Sequence, residues 1–334
     1  MNLKLKILVL VIISNFIYAQ FDTNYVYITR KKFTTNGMFE FFNTNLKIKP
    51  YDEYYDYIQN LDSIYDVEQR FKSRNSIYLG FGVTFYRIGF SLTFLLPYSD
   101  IPELKQAPSI SFMGGYSLKK FYAEFRYRNY YGFQEQRFIT KEDTSYERHN
   151  LVKNTSYRQM TGILYYFFSD KYNYDAAYKN YNIQKKSTLT PYLSVGAGYV
   201  NLNGVFDDLY SPVTQKLTFN IEDYSVKTGV GIAGTVVYKH LYFSALGHFG
   251  ASFNQNYIDR NGKFDKIFKI FPSLEVKAAA GINNQKYFIS INYTYSNDII
   301  YLNPSKIGVN NFYFSIKAGI KLNSILLGKA RHYL

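Results

Sequence analysis

From Ile77 onward the chain alternates between apolar residues and small or polar ones. Ile77, Leu79, Phe81, Val83 and Phe85 hold one parity, and Tyr78, Gly80, Gly82 and Thr84 hold the other. Ile88, Phe90, Leu92, Phe94 and Leu96 alternate with Gly89, Ser91 and Thr93. Phe121, Ala123, Phe125 and Tyr127 interleave with Tyr122, Glu124, Arg126 and Arg128. Near the end, Phe312, Phe314, Ile316, Ala318, Ile320 and Leu322 interleave with Tyr313, Ser315, Lys317, Gly319 and Lys321. Successive side chains of a strand point to opposite faces, so each segment has one apolar face and one polar or small face. The segments run for about 9–11 residues, enough to cross a bilayer as a tilted strand.

The pattern predicts twelve strands, near 38–48, 75–86, 88–97, 108–118, 120–131, 157–168, 188–200, 224–238, 240–252, 271–282, 286–296 and 311–322. Tight turns fall at Tyr86-Arg87, Lys119-Lys120, Lys239-His240 and Asn283-Asn284. Long connections cover 49–74, 98–107, 132–156, 201–223, 253–270 and 297–310. Short and long connections alternate, except that 169–187 stands where a tight turn is due. This layout predicts an all-β fold: a transmembrane antiparallel β-barrel of about twelve strands with short periplasmic turns and long extracellular loops. A soluble barrel or sandwich is the competing architecture. Arg158 and Phe168 share a parity in the blurred sixth segment, which predicts a bulge there. Tyr54, Tyr57, Ile58, Leu61, Ile64 and Tyr65 recur at helical spacing, which predicts a surface helix within Tyr51 to Phe71, with Pro50 just before it.

The N-terminus adds a location. Lys4 and Lys6 precede an apolar run from Ile7 to Ile13, and Ala19 offers a small residue for cleavage. That is the order of a secretory signal peptide, and the run is too short to span a bilayer as a helix. Cleavage after Ala19 lowers the formal net charge from +14 to +12. The expected organisation is a signal peptide at 1–19, a periplasmic segment at 20–37, a barrel at 38–322 and a C-terminal tail at 323–334. The chain contains no Cys. Disulfides, thiol nucleophiles and Cys-ligated metals are therefore excluded, and a Gram-negative envelope suits an exported chain that folds without them. Outer-membrane lipid, lipopolysaccharide and the barrel-assembly machinery are the expected partners. The basic excess suggests lipid phosphates and acidic sugars, and no nucleic-acid motif accompanies it.

Several stretches resemble an uncharacterised Gram-negative outer-membrane β-barrel family, the domain of unknown function 4421 type. They are Arg74-Asn75 leading into Leu79-Gly80-Phe81-Gly82-Val83, then Ile88-Gly89-Phe90-Ser91-Leu92, and Tyr174-Asp175-Ala176-Ala177-Tyr178 followed by Gln184-Lys185-Lys186-Ser187. The resemblance covers most of the mature chain. It implies a barrel and an envelope location, and it brings no activity and no catalytic residues. Gln184 to Ser187 reads either as a docking or plug element or as a charged, solvated turn; the charge of the stretch favours the turn.

Candidate chemistry is sparse. His149, His240, His248 and His332 match no metal-ligand spacing, and no cofactor motif is present. His149 lies near Ser145 and Asp143 in a long loop, and His248 takes a lumen parity. A barrel hydrolase would need one of them to meet a Ser and an acid in space. Asp52, Glu53, Asp56, Asp62, Asp66 and Glu68 cluster in the first long loop and fit a solvated surface better than a cation site. The lumen-facing candidates are Glu124, Arg126, Arg128, Lys227, Glu275, Lys277 and Lys317. Lipid-facing charge costs about 2–4 kcal/mol at the bilayer midplane, so these point inward. Their five bases and two acids favour anions if water fills the lumen. The alternative is an internal salt-bridge network that plugs the barrel. Inward Gly residues either widen a pore or leave room for Tyr78, Tyr122 and Tyr313 to pack. Tyr127, Tyr131, Tyr199 and Tyr295 suit interfacial belts. The expected function is a structural or passive-channel envelope protein; a barrel hydrolase and an adhesion or scaffold module acting through the loops are the alternatives.

Overall fold

The computed structural model describes residues 22–29, 33–49, 66–73, 76–96, 109–141, 144–207, 216–260, 262–302 and 305–322. The expected signal peptide (1–19) and C-terminal tail (323–334) lie outside the described residues. The period-two sequence forms strands β1 (Val26–Tyr27), β2 (Phe33–Lys49), β3 (Asp66–Ser73), β4 (Ser76–Phe85), β5 (Ile88–Leu95), β6 (Ile110–Ser117), β7 (Phe121–Lys141) and β8 (Thr144–Phe167). They continue with β9 (Ile183–Gln184), β10 (Thr188–Asp207), β11 (Lys216–Tyr238), β12 (Leu241–Arg260), β13 (Lys263–Asn283), β14 (Tyr287–Leu302) and β15 (Ser305–Leu322).

Twelve of them, β2, β4 to β8 and β10 to β15, close into an antiparallel barrel. The last strand meets the first: β15 pairs with β2 from Leu322↔Phe33 to Lys306↔Lys49. The wall therefore begins at Phe33, and residues 33–37 belong to it rather than to the expected periplasmic segment. Outside the wall, Phe243, Phe249, Val230, Ile232, Ile289 and Ile316 are exposed, while Tyr122, Tyr165, Tyr192, Ser244 and Lys277 on the opposite parity are buried. Lipid solvates the first set, and the barrel interior holds the second.

Strands β7 and β8 have 21 and 24 residues, about twice what a bilayer crossing needs. The long extracellular connections are therefore mostly hairpins that continue the wall beyond the membrane. On the outside, Tyr199 and Tyr224 pack with ring centroids 5.0 Å apart where the apolar coat ends. The Lys266 ammonium lies 5.4 Å from the Tyr257 ring on the neighbouring strand.

The wall forks on one side. Strands β3 and β4 both run antiparallel to β2, at Asn45↔Lys72 and Phe42↔Ser76 respectively. On its other edge β4 pairs with β5, whereas β3 pairs directly with β7. The short β5–β6 hairpin thus widens only the periplasmic half. Above it the ring is β2, β3, β7, β8 and β10 to β15, ten strands. The helix expected within Tyr51 to Phe71 is corrected over Asp66 to Phe71, which lies in β3; 51–65 lies outside the described residues. Open edges on β2 and β7 satisfy the β3 backbone, and the residues at helical spacing, Tyr54 to Tyr65, lie outside the described residues.

The bulge expected in the sixth segment is also corrected. Strand β8 keeps its alternation, with Arg158, Met160 and Leu164 exposed and Tyr157, Gln159 and Tyr165 buried. The register shift lies just before that segment, where Tyr131 of β7 faces Ser156 and Phe133 faces Val152, so that one residue of β7 stands against three of β8. There Gly132 has φ +80°, at the level where β7 exchanges β6 for β3. A side chain at that backbone angle is strained by about 1–3 kcal/mol. Gly132→Val is expected to lower the temperature at which the unboiled, fast-migrating gel band is lost. Gly247→Ala, where an added Cβ meets nothing within 4 Å, serves as the control; equal midpoints for the two variants would contradict the role of the bulge.

Candidate functional site

The connection 169–187 turns into the barrel. Its buried side chains include Tyr172, Asn173, Tyr174, Ala177, Tyr178, Asn180 and Asn182. A single wide helical turn, Asp175–Lys179, is started by Asn173, whose Oδ1 accepts from the Ala176 N–H at 2.7 Å. It ends at Asn180, which takes φ 61°. The Tyr174 ring stacks on Tyr122 of the wall at 3.9 Å. Tyr242 donates to Asn180 Oδ1 at 2.7 Å, Asn180 donates to Ser290 at 2.9 Å, and Asn283 donates to the Asn182 carbonyl at 2.8 Å. Polar wall residues from three strands thus satisfy the plug's amides, as burial requires.

The N-terminal segment fastens this plug from the periplasmic side. Strand β1 pairs with β9, and Lys185 N donates to the Tyr25 carbonyl at 2.7 Å. Gln184 is buried and donates to the Lys171 carbonyl at 2.8 Å. Lys185 to Ser187 is exposed at the mouth. The stretch read from sequence as a solvated turn is therefore divided, with Gln184 part of the plug and the next three residues solvated.

The structure places all seven sequence candidates on the lumen face. Glu124, Arg128, Glu275, Lys277 and Lys317 are buried; Arg126 and Lys227 are partly so. Lys277, on β13, sits at the centre. Its Nζ donates to the Tyr165 hydroxyl at 2.8 Å, the Tyr174 hydroxyl at 3.0 Å and Glu124 at 3.4 Å, and lies 3.4 Å from Glu275. Tyr165 passes its own hydrogen to Glu275 at 2.8 Å, and Tyr174 passes its hydrogen to Glu124 at 3.2 Å. Arg126 pairs with Glu124 and reaches Glu275 at 3.9 Å. From the plug, Lys179 reaches Glu124 at 3.8 Å. A buried ion pair is held only when its remaining donors and acceptors are met, and here two tyrosine hydroxyls meet them.

The charge balance predicted from sequence is corrected. Glu40, Asp223 and Asp298 also face inward. Asp298 pairs with Lys227, Glu40 accepts from Tyr313, and Asp223 accepts from Asn254 at 2.8 Å. The blurred parity of β2 and the placing of Asp298 in a loop hid two of these acids. The inward glycines serve packing: a Cβ at Gly231 would lie 2.6 Å from the Tyr192 ring, and one at Gly115 would lie 2.2 Å from the Tyr122 hydroxyl.

Above the network is a cavity of about 40 Å³, lined in part by Arg128, Gln159, Ser194, His248 and Ser273. Ser194 Oγ lies 3.1 Å from His248 Nδ1. Glu275 is the cross-strand neighbour of His248, and its carboxylate is held by Lys277, Arg126 and Tyr165. His149 and Ser145 lie in β8, opposite Gln136 and Thr140; Asp143 lies outside the described residues.

A closed ladder with an apolar coat outside and paired ions inside is the solution a bilayer demands. A family model described as a domain of unknown function (DUF4421) matches residues 20–321. The chain belongs to that family. A search of curated proteins finds no match. Among solved structures, the DUF4421 chain is similar to the outer membrane protease OmpT from Escherichia coli, with 7% identity, 88% of this chain and 97% of that chain covered, and a TM-score of 0.40. It is also similar to the beta domain of the Bordetella autotransporter BrkA, at 10% identity, 86% and 99% coverage and a TM-score of 0.33. The Pseudomonas putida toluene transporter TodX matches at 6% identity, 87% and 90% coverage and a TM-score of 0.27. This DUF4421 protein is an outer-membrane β-barrel, and its coat lies in the lipid and lipopolysaccharide of that membrane.

The network makes two predictions for the DUF4421 barrel. Lys277→Met leaves Glu124 and Glu275 short of their shared cation, at a cost of about 3–5 kcal/mol. Adding Glu124→Gln is expected to restore part of that loss, measured as the thermal midpoint of the folded gel band; two additive losses would contradict the coupling. The second concerns pH. Burial lowers the Lys179 pKa from 10.5 to about 7, against the pull of Glu124. Below about 7 both folded and unfolded states hold the proton, and the burial penalty is complete. Between there and 10.5 the folded state holds fewer protons, so stability rises with pH. The rise in unfolding midpoint from pH 7 to pH 9 is expected to be smaller in Lys179→Met; parallel curves would contradict it.

Proposed function

We propose that the protein is a sealed outer-membrane barrel with a structural or scaffold role, and that it is not a passive pore. The observation that carries this reading is the fully buried Lys277, which joins wall and plug through Tyr174, Tyr165, Glu124 and Glu275. Breaking that junction to admit solute would strand charges at low dielectric. The layers on either side add support. Toward the periplasm, Tyr122, Tyr165, Phe167, Tyr172, Tyr174, Tyr178 and Tyr192 pack as one aromatic layer. Toward the outside, Phe42, Leu46, Tyr130, Tyr157, Leu202, Ile221 and Ile307 belong to a second layer. Solute would have to pass both layers and the ionic layer between them. The long hairpins then offer the extracellular surface for contact with partners.

Planar-bilayer recording of the purified protein tests this. The wild type is expected to give no stable conductance steps. A variant with Tyr172 to Asn182 replaced by a short Gly-Ser linker is expected to conduct only when Tyr130→Ala and Tyr157→Ala also open the second layer. Stable steps from the wild type would restore the passive-channel reading.

A further inference from the structure

We infer that a small inorganic anion of chloride type binds inside the barrel, in the cavity against Arg128. Charges inside the barrel are unevenly paired. In the lumen and plug, Arg126, Arg128, Lys179, Lys227, Lys277 and Lys317 accompany Glu40, Glu124, Asp175, Asp223, Glu275 and Asp298, six cations and six carboxylates, but the ion pairs are unevenly shared among them. Lys227 is paired with Asp298, and Arg126, Lys179 and Lys277 share Glu124 and Glu275. Arg128 and Lys317 make neither an ion pair nor a hydrogen bond among the described residues.

Arg128 is the better placed of the two. It is only 8% exposed, and its guanidinium is steadied by the Phe42 ring at 4.4 Å and the Tyr313 ring at 5.3 Å. Those contacts fix its plane and leave its N–H groups without acceptors. A guanidinium presents five donors, and leaving them unmet in a buried site is strongly destabilising. The cavity that Arg128 lines also presents Gln159, Thr161, Ser194, His248 and Ser273. His248 is 6% exposed, and its Nε2 is buried with no hydrogen-bond partner. The two carboxylates that line the cavity, Glu275 and Asp298, are committed to Lys277, Arg126 and Lys227. Its lining is left with one guanidinium that makes no ion pair and several neutral donors.

Size selects the ligand class. About 40 Å³ holds one small ion or about three waters, and excludes an organic anion of metabolite size. A ligand that binds only the folded state raises stability by mass action. The site does not depend on the seal: a conducting barrel that still held an anion at Arg128 would remove the proposed function and leave this inference standing.

The test uses bromide as the probe on the full-length protein folded in detergent. At constant ionic strength, sodium bromide or chloride is expected to raise the thermal midpoint by a few degrees over sodium gluconate, with a saturable dependence. Arg128→Gln is expected to abolish that difference, while Lys185→Gln, at the exposed mouth, keeps it. Should Arg128→Gln fail to fold, the anomalous signal of bromide in wild-type crystals decides, with a peak expected within hydrogen-bond reach of the Arg128 guanidinium. Equal midpoints in bromide and gluconate, a halide effect that survives Arg128→Gln, or a cavity without bromide signal would each overturn the inference.

Discussion

Every backbone N–H at membrane depth needs an acceptor, and lipid supplies none. The pairing of β15 with β2 meets that demand by joining the last strand to the first. The rest follows from closure. A closed ladder has an outside and an inside, and strand geometry sends alternate side chains to each. Lipid accepts only apolar groups on the outside, so each charge on a spanning strand is driven inward. Once inside, it is confined with other charges and must find partners there. The Lys277 cluster is the product of that confinement, with cations and carboxylates from β7 and β13 meeting across the lumen.

What the sequence reveals is what period two controls. Glu124, Arg126 and Arg128 alternate with Phe125 and Tyr127, so their face is readable without a partner strand in view. The same holds for Lys277 beside Val276 and for Lys317 beside Ile316. Pairing is another matter. Glu124 and Lys277 are 153 positions apart, and they meet only because the barrel brings their strands to opposite sides of a narrow space. Glu40 was obscured because both faces of β2 carry apolar residues, including Met38 and Phe42 inside and Phe39 and Phe41 outside. The plug was hidden for a different reason. Tyr172, Tyr174 and Tyr178 follow neither a strand nor a helical period, and Lys185 and Lys186 dominate the stretch that follows. The burial of the plug depends on wall residues such as Tyr242 and Asn283, which local sequence cannot indicate.

The fork explains why a plug is needed in one half of the barrel and not in the other. Barrel diameter grows roughly linearly with strand number, and small barrels are filled by their own side chains. Above the β5–β6 hairpin the ring has ten strands, and Leu46, Phe133, Tyr157, Leu202, Ile221 and Ile307 reach one another across it. Below, the hairpin adds two strands and the lumen widens. Wall side chains alone then leave a gap, and Tyr172, Tyr174, Ala177 and Tyr178 from the connection 169–187 enter the same cluster as Tyr122, Tyr165 and Tyr192. A tight turn at this position would leave that gap to water. The oversized periplasmic connection and the two short extra strands are therefore one structural solution, with Gly132 placed where the narrow ring gives way to the wide one.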